Sequence, residues 1–110
     1  MGPQLHREAL DALGDGNRRV IVEILSEGGQ SVQQISDRMP ISRPAVSRHL
    51  RVLKDAGLVR DEARGTRHIY ELRAEGVEAI RQYFVEVWDQ AAARFRIVAE
   101  NVSERPDGAP

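Results

Sequence analysis

The stretch Ile41-Ser42-Arg43-Pro44-Ala45-Val46-Ser47-Arg48-His49-Leu50-Arg51-Val52-Leu53-Lys54-Asp55-Ala56-Gly57-Leu58-Val59 decides the fold. Ser42 is a side chain suited to cap a helix, and Pro44 is tolerated in a first turn. Val46, Leu50 and Leu53 recur at helical spacing, so one face is apolar, and Gly57 stops the helix. Arg43, Pro44, Ser47, Arg48 and Arg51 fall mostly on the opposite side. A helix that enters a major groove needs both faces, one to hold it to its own protein and one to reach bases and phosphates. Arg43, Ser47 and Arg48 lie in the first two turns, where base edges are met. Arginine can bind guanine O6 and N7 in a bidentate way, and serine can donate or accept. Ser42 and Arg51 are better placed for phosphates.

Upstream, residues 5–13 read as a short helix with Leu5, Ala9, Ala12 and Leu13 on one face. Gly14-Asp15-Gly16-Asn17 is a break with helix-start chemistry. A second helix over residues 18–26 carries Val20, Ile21, Ile24 and Leu25, and Gly28-Gly29 ends it. Ser31-Val32-Gln33-Gln34 matches a capping box. The helix it opens is expected to reach Arg38 or Met39, burying Val32, Ile35 and Met39, before a tight turn at Pro40 and Ile41.

Downstream of Gly57 the period changes. Residues 58–61 and 67–72 are short and rich in strand formers, and Ala63-Arg64-Gly65-Thr66 lies between them, which predicts a β-hairpin. Its tip is basic, with Arg64, Arg67 and His68. From residue 74 to about residue 100 the pattern is helical again, with Val77, Ile80, Phe84, Trp88, Ala91, Phe95 and Val98 three or four positions apart. The expected fold is mostly α with a small β-hairpin, in the order α-α-α-α-β-β-α: a winged helix-turn-helix. Residues 1–100 form the one domain, and the polar tail 101–110, with Pro106, Gly108 and Pro110, is expected to be disordered.

Composition sets the exclusions. The chain has 110 residues and no cysteine, so disulfides, thiolate metal sites and a cysteine nucleophile are ruled out. No apolar run approaches the roughly 20 residues of a membrane span, and residues 1–8 lack the apolar core of a signal peptide. A cytoplasmic domain with no membrane partner is the expectation. The formal net charge of −1 would argue against nucleic acid, but the average conceals a division. Residues 38–73 hold nine basic and four acidic side chains, a net of +5, and the remainder nets −6. The basic centre coincides with the outward helix face and the hairpin. Ser47 and His49 are two positions apart and diverge on a helix, and no phosphate loop or paired-carboxylate motif is present, so no enzyme is expected.

The 41–59 stretch resembles the recognition-helix signature of the ArsR family of bacterial winged-helix repressors. Arg64-Gly65-Thr66-Arg67-His68-Ile69-Tyr70-Glu71-Leu72 resembles that family's wing, and Leu13-Gly14-Asp15-Gly16-Asn17-Arg18-Arg19 its second-helix entry. Gly16 and Asn17 stand where many members have proline and threonine, a departure that softens the start of that helix. The resemblance implies a homodimeric transcriptional repressor on double-stranded DNA, at a palindromic operator that includes its own promoter. It places Ser42, Arg43, Pro44, Ser47 and Arg48 at DNA-contacting positions, with Arg64 and Arg67 in the wing. Many members sense metals through a Cys-x-Cys motif in the third helix or through aspartate and histidine pairs on the last one. Here Ser31-Val32-Gln33-Gln34-Ile35 has no thiolate and the last helix has no histidine. His6, His49 and His68 lie on separate elements, and His49 is expected to pack partly under the recognition helix. No metal or other cofactor is therefore expected. The stretch Phe84-Val85-Glu86-Val87-Trp88-Asp89 resembles a metal-independent, autorepressor-like branch.

The long last helix has more apolar face than so small a domain can cover. It is expected to form a dimer seam with Phe84, Trp88, Ala91, Ala92 and Phe95 central and Leu5, Ala9 and Leu13 opposite. A two-fold dimer sets two recognition helices roughly 34 Å apart, one DNA turn. A small-molecule or protein effector that changed this spacing would control release. The alternative reading is a winged-helix protein-interaction module without specific DNA binding.

Overall fold

The computed structural model describes residues 3–103, with side chains for 7–100. Seven elements follow in order: α1 (Pro3–Ala12), α2 (Gly16–Leu25), α3 (Val32–Ser36), α4 (Arg43–Asp55), β1 (Val59–Arg64), β2 (Arg67–Leu72) and α5 (Ala74–Ser103). By its internal packing the chain divides into a body that ends at Ile80 and a second unit that begins at Arg81.

Three helices of the body, α2, α3 and α4, start on caps visible in the sequence. Asp15 Oδ1 accepts from the backbone N–H groups of Asn17 at 2.8 Å and Arg18 at 3.1 Å. With that cap α2 begins at Gly16, so the departure at Gly16 and Asn17 does not delay it. Ser31 and Gln34 form the expected capping box: Ser31 N donates to Gln34 Oε1 at 2.8 Å, and Gln34 N to Ser31 Oγ at 3.2 Å. The helix it opens is shorter than expected and ends at Ser36, with turns carrying the chain on to Met39. Ser42 Oγ accepts from Ala45 N at 3.3 Å and opens α4, with Pro44 in the first turn. Two helices joined by this short turn, α3 and α4, make the helix-turn-helix.

The core is one cluster. Ile21, Ile35, Val46, Leu50, Leu53, Leu58 and Val59 are its largest fully buried side chains. Ala9 and Ala12 of α1 join it. Ala9 is completely buried in the body of its own chain, which corrects its expected place in a dimer seam: a methyl group already enclosed has no area left to offer. At the start of α5 the inward residues are Ala79 and the half-buried Ile80, while Val77 is exposed.

The hairpin is longer than the sequence reading gave it. β1 runs on through Arg64 and pairs with β2 from Val59↔Leu72 to Arg64↔Arg67, which leaves Gly65-Thr66 as a two-residue turn. Gly65 has φ +64°, the sign that the first position of a type II′ turn requires. Gln30, between α2 and α3, makes an isolated antiparallel bridge to Tyr70 with bonds of 3.0 and 2.8 Å. This bridge ties the hairpin to the helix-turn-helix. The first turn of α5 lies against the end of α4: a Cβ added to Gly76 would fall 2.2 Å from the carbonyl oxygen of Gly57.

The second unit is helical to Ser103, so the tail expected from residue 101 begins no earlier than residue 104. Residues 104–110, the rest of that tail, lie outside the described residues. Phe84, Trp88, Phe95, Ile97 and Val98 are all exposed along this helix.

Candidate nucleic-acid interface

The apolar stripe of α4 fixes which way its polar residues face. Val46, Leu50 and Leu53 are buried, and Ser42, Arg43, Pro44, Ser47, Arg48 and Arg51 are all exposed. The guanidinium groups of Arg43, Arg48 and Arg51 have no hydrogen-bond or ion-pair partner among the described residues. Three cations thus stand on one helix face with no carboxylate partner among the described residues. An exposed arginine left without a carboxylate keeps its full fork of donors for a phosphate or a guanine edge.

The wing arginines differ. Arg64 NH2 lies 3.0 Å from Glu71 Oε1 and 3.4 Å from Glu62 Oε2, so its charge is already shared with two carboxylates. Arg67 donates to Ser31 Oγ at 3.1 Å, on the cap of α3. The sequence places both in the wing, and in the folded chain each already has a partner within the protein. Between the start of α3, the start of α4 and the hairpin tip lies a cleft of about 300 Å³ bordered by Arg43, Thr66, Arg67 and His68. It brings one helix arginine and one wing arginine to a common hollow.

Two further side chains hold the arrangement together, and neither stood out in the sequence. Arg18 Nε donates to the carbonyl of Ala12 at 2.6 Å, and its NH1 lies 3.5 Å from His49 Nδ1. One side chain therefore joins the end of α1, the start of α2 and α4. His49 is half-buried, at the flank of the recognition helix. Asp61 accepts from Lys54 Nζ at 2.6 Å through Oδ1, and its Oδ2 lies 3.1 Å from His68 Nδ1. A carboxylate three residues into a strand gives no periodic signal, and its partners are fixed only by the hairpin register.

These ion pairs set a pH dependence. The Lys54 ammonium, and after it His68, holds the Asp61 carboxyl below the usual aspartate range. Arg38 does the same for Glu27, with which it forms two parallel hydrogen bonds of 2.8 and 2.9 Å. A carboxyl lowered on folding stabilises the fold above its unfolded value, and that contribution is lost as pH falls through the folded value. Thermal melts are therefore expected to be flat near neutrality and to fall with pH below about 5. The chain carrying Asp61→Asn should show a shallower fall. Equal acid slopes for the two chains would remove Asp61 from this account.

Among the described residues no group of three or more His, Asp or Glu side chains is placed to hold a metal ion, and no helix is long and apolar enough to cross a membrane.

A capped helix with a buried stripe and a free cationic face, set beside a hairpin with arginines at its tip, defines a winged helix-turn-helix DNA-binding protein. Residues 15–61 match the pattern of the bacterial regulatory proteins of the arsR family. The chain is 47% identical over 83 residues to the HTH-type transcriptional regulator Rv2034 of Mycobacterium tuberculosis, covering 76% of this chain and 78% of that protein. It is 34% identical over 61 residues to the transcriptional repressor SdpR of Bacillus subtilis, covering 56% of this chain and 68% of that one. A solved relative is the homodimeric winged helix-turn-helix DNA-binding domain of a possible ArsR-family transcriptional regulator from Mycobacterium bovis. It superposes with a TM-score of 0.63 at 27% identity, covering 80% of this chain and 79% of that one. The chain belongs to the ArsR family, and it is a DNA-binding transcriptional regulator.

Proposed function

We propose that the chain is a homodimeric repressor that binds a palindromic operator, its own promoter included, and does so without a bound metal. The observation that carries this reading is the cationic face of α4, with Arg43, Arg48 and Arg51 exposed and without a partner among the described residues. Ser42, Pro44 and Ser47 share that face, and Arg64 and Arg67 extend it into the wing. The relative named as a repressor supports the direction of regulation.

Two-fold assembly is supported by α5. Phe84, Trp88, Ala91 and Phe95 are exposed along it, Ala92 is half-buried, and Trp88, Ala91, Ala92 and Phe95 line an apolar groove of about 490 Å³. An apolar stripe of this length on one helix needs a cover, and the solved relative described as homodimeric supplies the kind of cover. Leu13 is half-buried against the core of the body and Leu5 lies on α1 with its side chain outside the described residues; both remain in the proposed seam. The metal-independent part rests on the lack of cysteine and on the scatter of the three histidines over separate elements.

The test is selection of duplexes from a random-sequence pool by the full chain. A two-fold symmetric consensus, present also in the DNA upstream of its own gene, is the expected result. On that duplex Arg48→Ala should cost about 1–3 kcal/mol and relax preference at one base position per half-site. A pool that yields no common sequence would overturn the reading and favour a protein-interaction module.

A further inference from the structure

We propose that Asp61 is a positioning residue: it fixes the angle between the wing and the recognition helix, and so sets where the wing meets the duplex. The proposal rests on the DNA-binding reading above and names a residue outside the exposed contact face.

Beyond the buried Val59, Asp61 is the one residue of β1 that is not exposed. Its side chain is 17% exposed, against 64% for Arg60 and 58% for Glu62 on either side. The two carboxylate oxygens serve two different elements, Oδ1 the ammonium of Lys54 in the last turn of α4 and Oδ2 the ring of His68 on β2. The other ion pairs of the hairpin, Arg60–Glu71, Arg64–Glu62 and Arg64–Glu71, join hairpin residues to each other. Lys54–Asp61 joins the hairpin to the helix that reads bases.

The base of the wing is held by Leu58 and Val59 in the core and by the Gln30–Tyr70 bridge. Asp61 stands opposite Tyr70, next to that base, where a lever is best controlled. With six residues in each strand, the hairpin extends about 20 Å. A tilt of about 10° at the base would carry the tip about 3 Å, close to the roughly 3.4 Å that each nucleotide of a strand advances along the duplex axis. A loosened Asp61 would thus move Arg64 and Arg67 far enough to break a phosphate hydrogen bond, whose length tolerance is only a few tenths of an ångström.

Charge alone argues the other way, which makes the test sharp. Asp61→Asn removes a negative charge from a basic surface, so simple electrostatics expects tighter binding. Positioning expects weaker binding. The assay uses the full chain and the duplex that the unaltered chain selects from a random-sequence pool. Asp61→Asn is expected to lower affinity about tenfold and to reduce the log–log salt slope by roughly 1–2, as one or two wing phosphate contacts are lost. Preference at the flanking positions should fade while preference at the central half-site positions stays. Lys54→Met should lose the flanks in the same way, and Lys54→Arg should keep them. Binding by Asp61→Asn that is equal or tighter, with unchanged flanks, overturns the proposal. If Asp61→Asn does not fold, Lys54→Met decides: retained flanks overturn the proposal, and lost flanks support it. An unaltered chain that selects no sequence fails the DNA-binding reading itself, and this inference with it.

Discussion

Trp88→Glu is expected to yield a monomer that binds the operator about 10²–10⁴-fold more weakly than the unaltered chain. Trp88 is 73% exposed in the chain and Phe95 is 75% exposed, so neither contributes much to its own subunit. The helix itself should therefore survive the change, with an unaltered far-ultraviolet circular dichroism spectrum. What the glutamate would disrupt is the proposed apolar seam, because a carboxylate buried there has no partner. Once the two chains separate, each recognition helix binds its half-site alone. The gain from delivering the second helix at high effective concentration disappears. Sedimentation and a DNA titration on the same samples check both halves of the expectation. A Trp88→Glu protein that remains a dimer would place the seam elsewhere on the chain.

The second large effect is on stability and comes from a single methyl group. Gly76→Ala is expected to destabilise the body by about 3 kcal/mol, the upper part of the usual range for overpacking. The added Cβ would lie 2.2 Å from Gly57 O, 3.0 Å from Gly57 C and 3.1 Å from the Cα of Leu58. All three neighbours are backbone atoms, so no side chain can rotate away. Relief requires the first turn of α5 to draw back from the end of α4 and the start of β1. That movement would open the packing around Ala79, and the midpoint of thermal unfolding should fall by roughly 10–20 °C. An unchanged melting midpoint would show that this junction is looser than the distances imply.

The parts of the molecule set by local chemistry were legible in the sequence. Ser42, Pro44 and Gly57 bracket α4, and Val46, Leu50 and Leu53 orient it, so its exposed face followed directly. Asp15, the Ser31–Gln34 box and Gly65 announced two helix starts and a turn in the same way. What escaped depends on register or on single residues. The bridge at Gln30 is one residue long and has no period to detect. The partners of Arg64 and Asp61 follow from which residues face each other across the hairpin, and Glu71 reaches Arg64 diagonally from opposite Arg60. A small apolar residue such as Ala9 fits a dimer interface and a domain core equally well, and only its enclosure in the body separates the two. The candidate site is therefore half sequence and half fold: the helix contacts are written locally, and the state of the wing arginines is not.

β1 pairs with β2 on one side, and the bridge to Gln30 occupies the far side of β2, which leaves β1 as the open rim of the sheet. An open rim invites strands from other molecules, and chains concentrated along DNA would meet that hazard often. Four of the six residues of β1 are charged: Arg60, Asp61, Glu62 and Arg64. The charges of β1 thus also discourage neighbouring molecules from zipping together along that rim, and a wing redesigned with uncharged side chains would give up that protection.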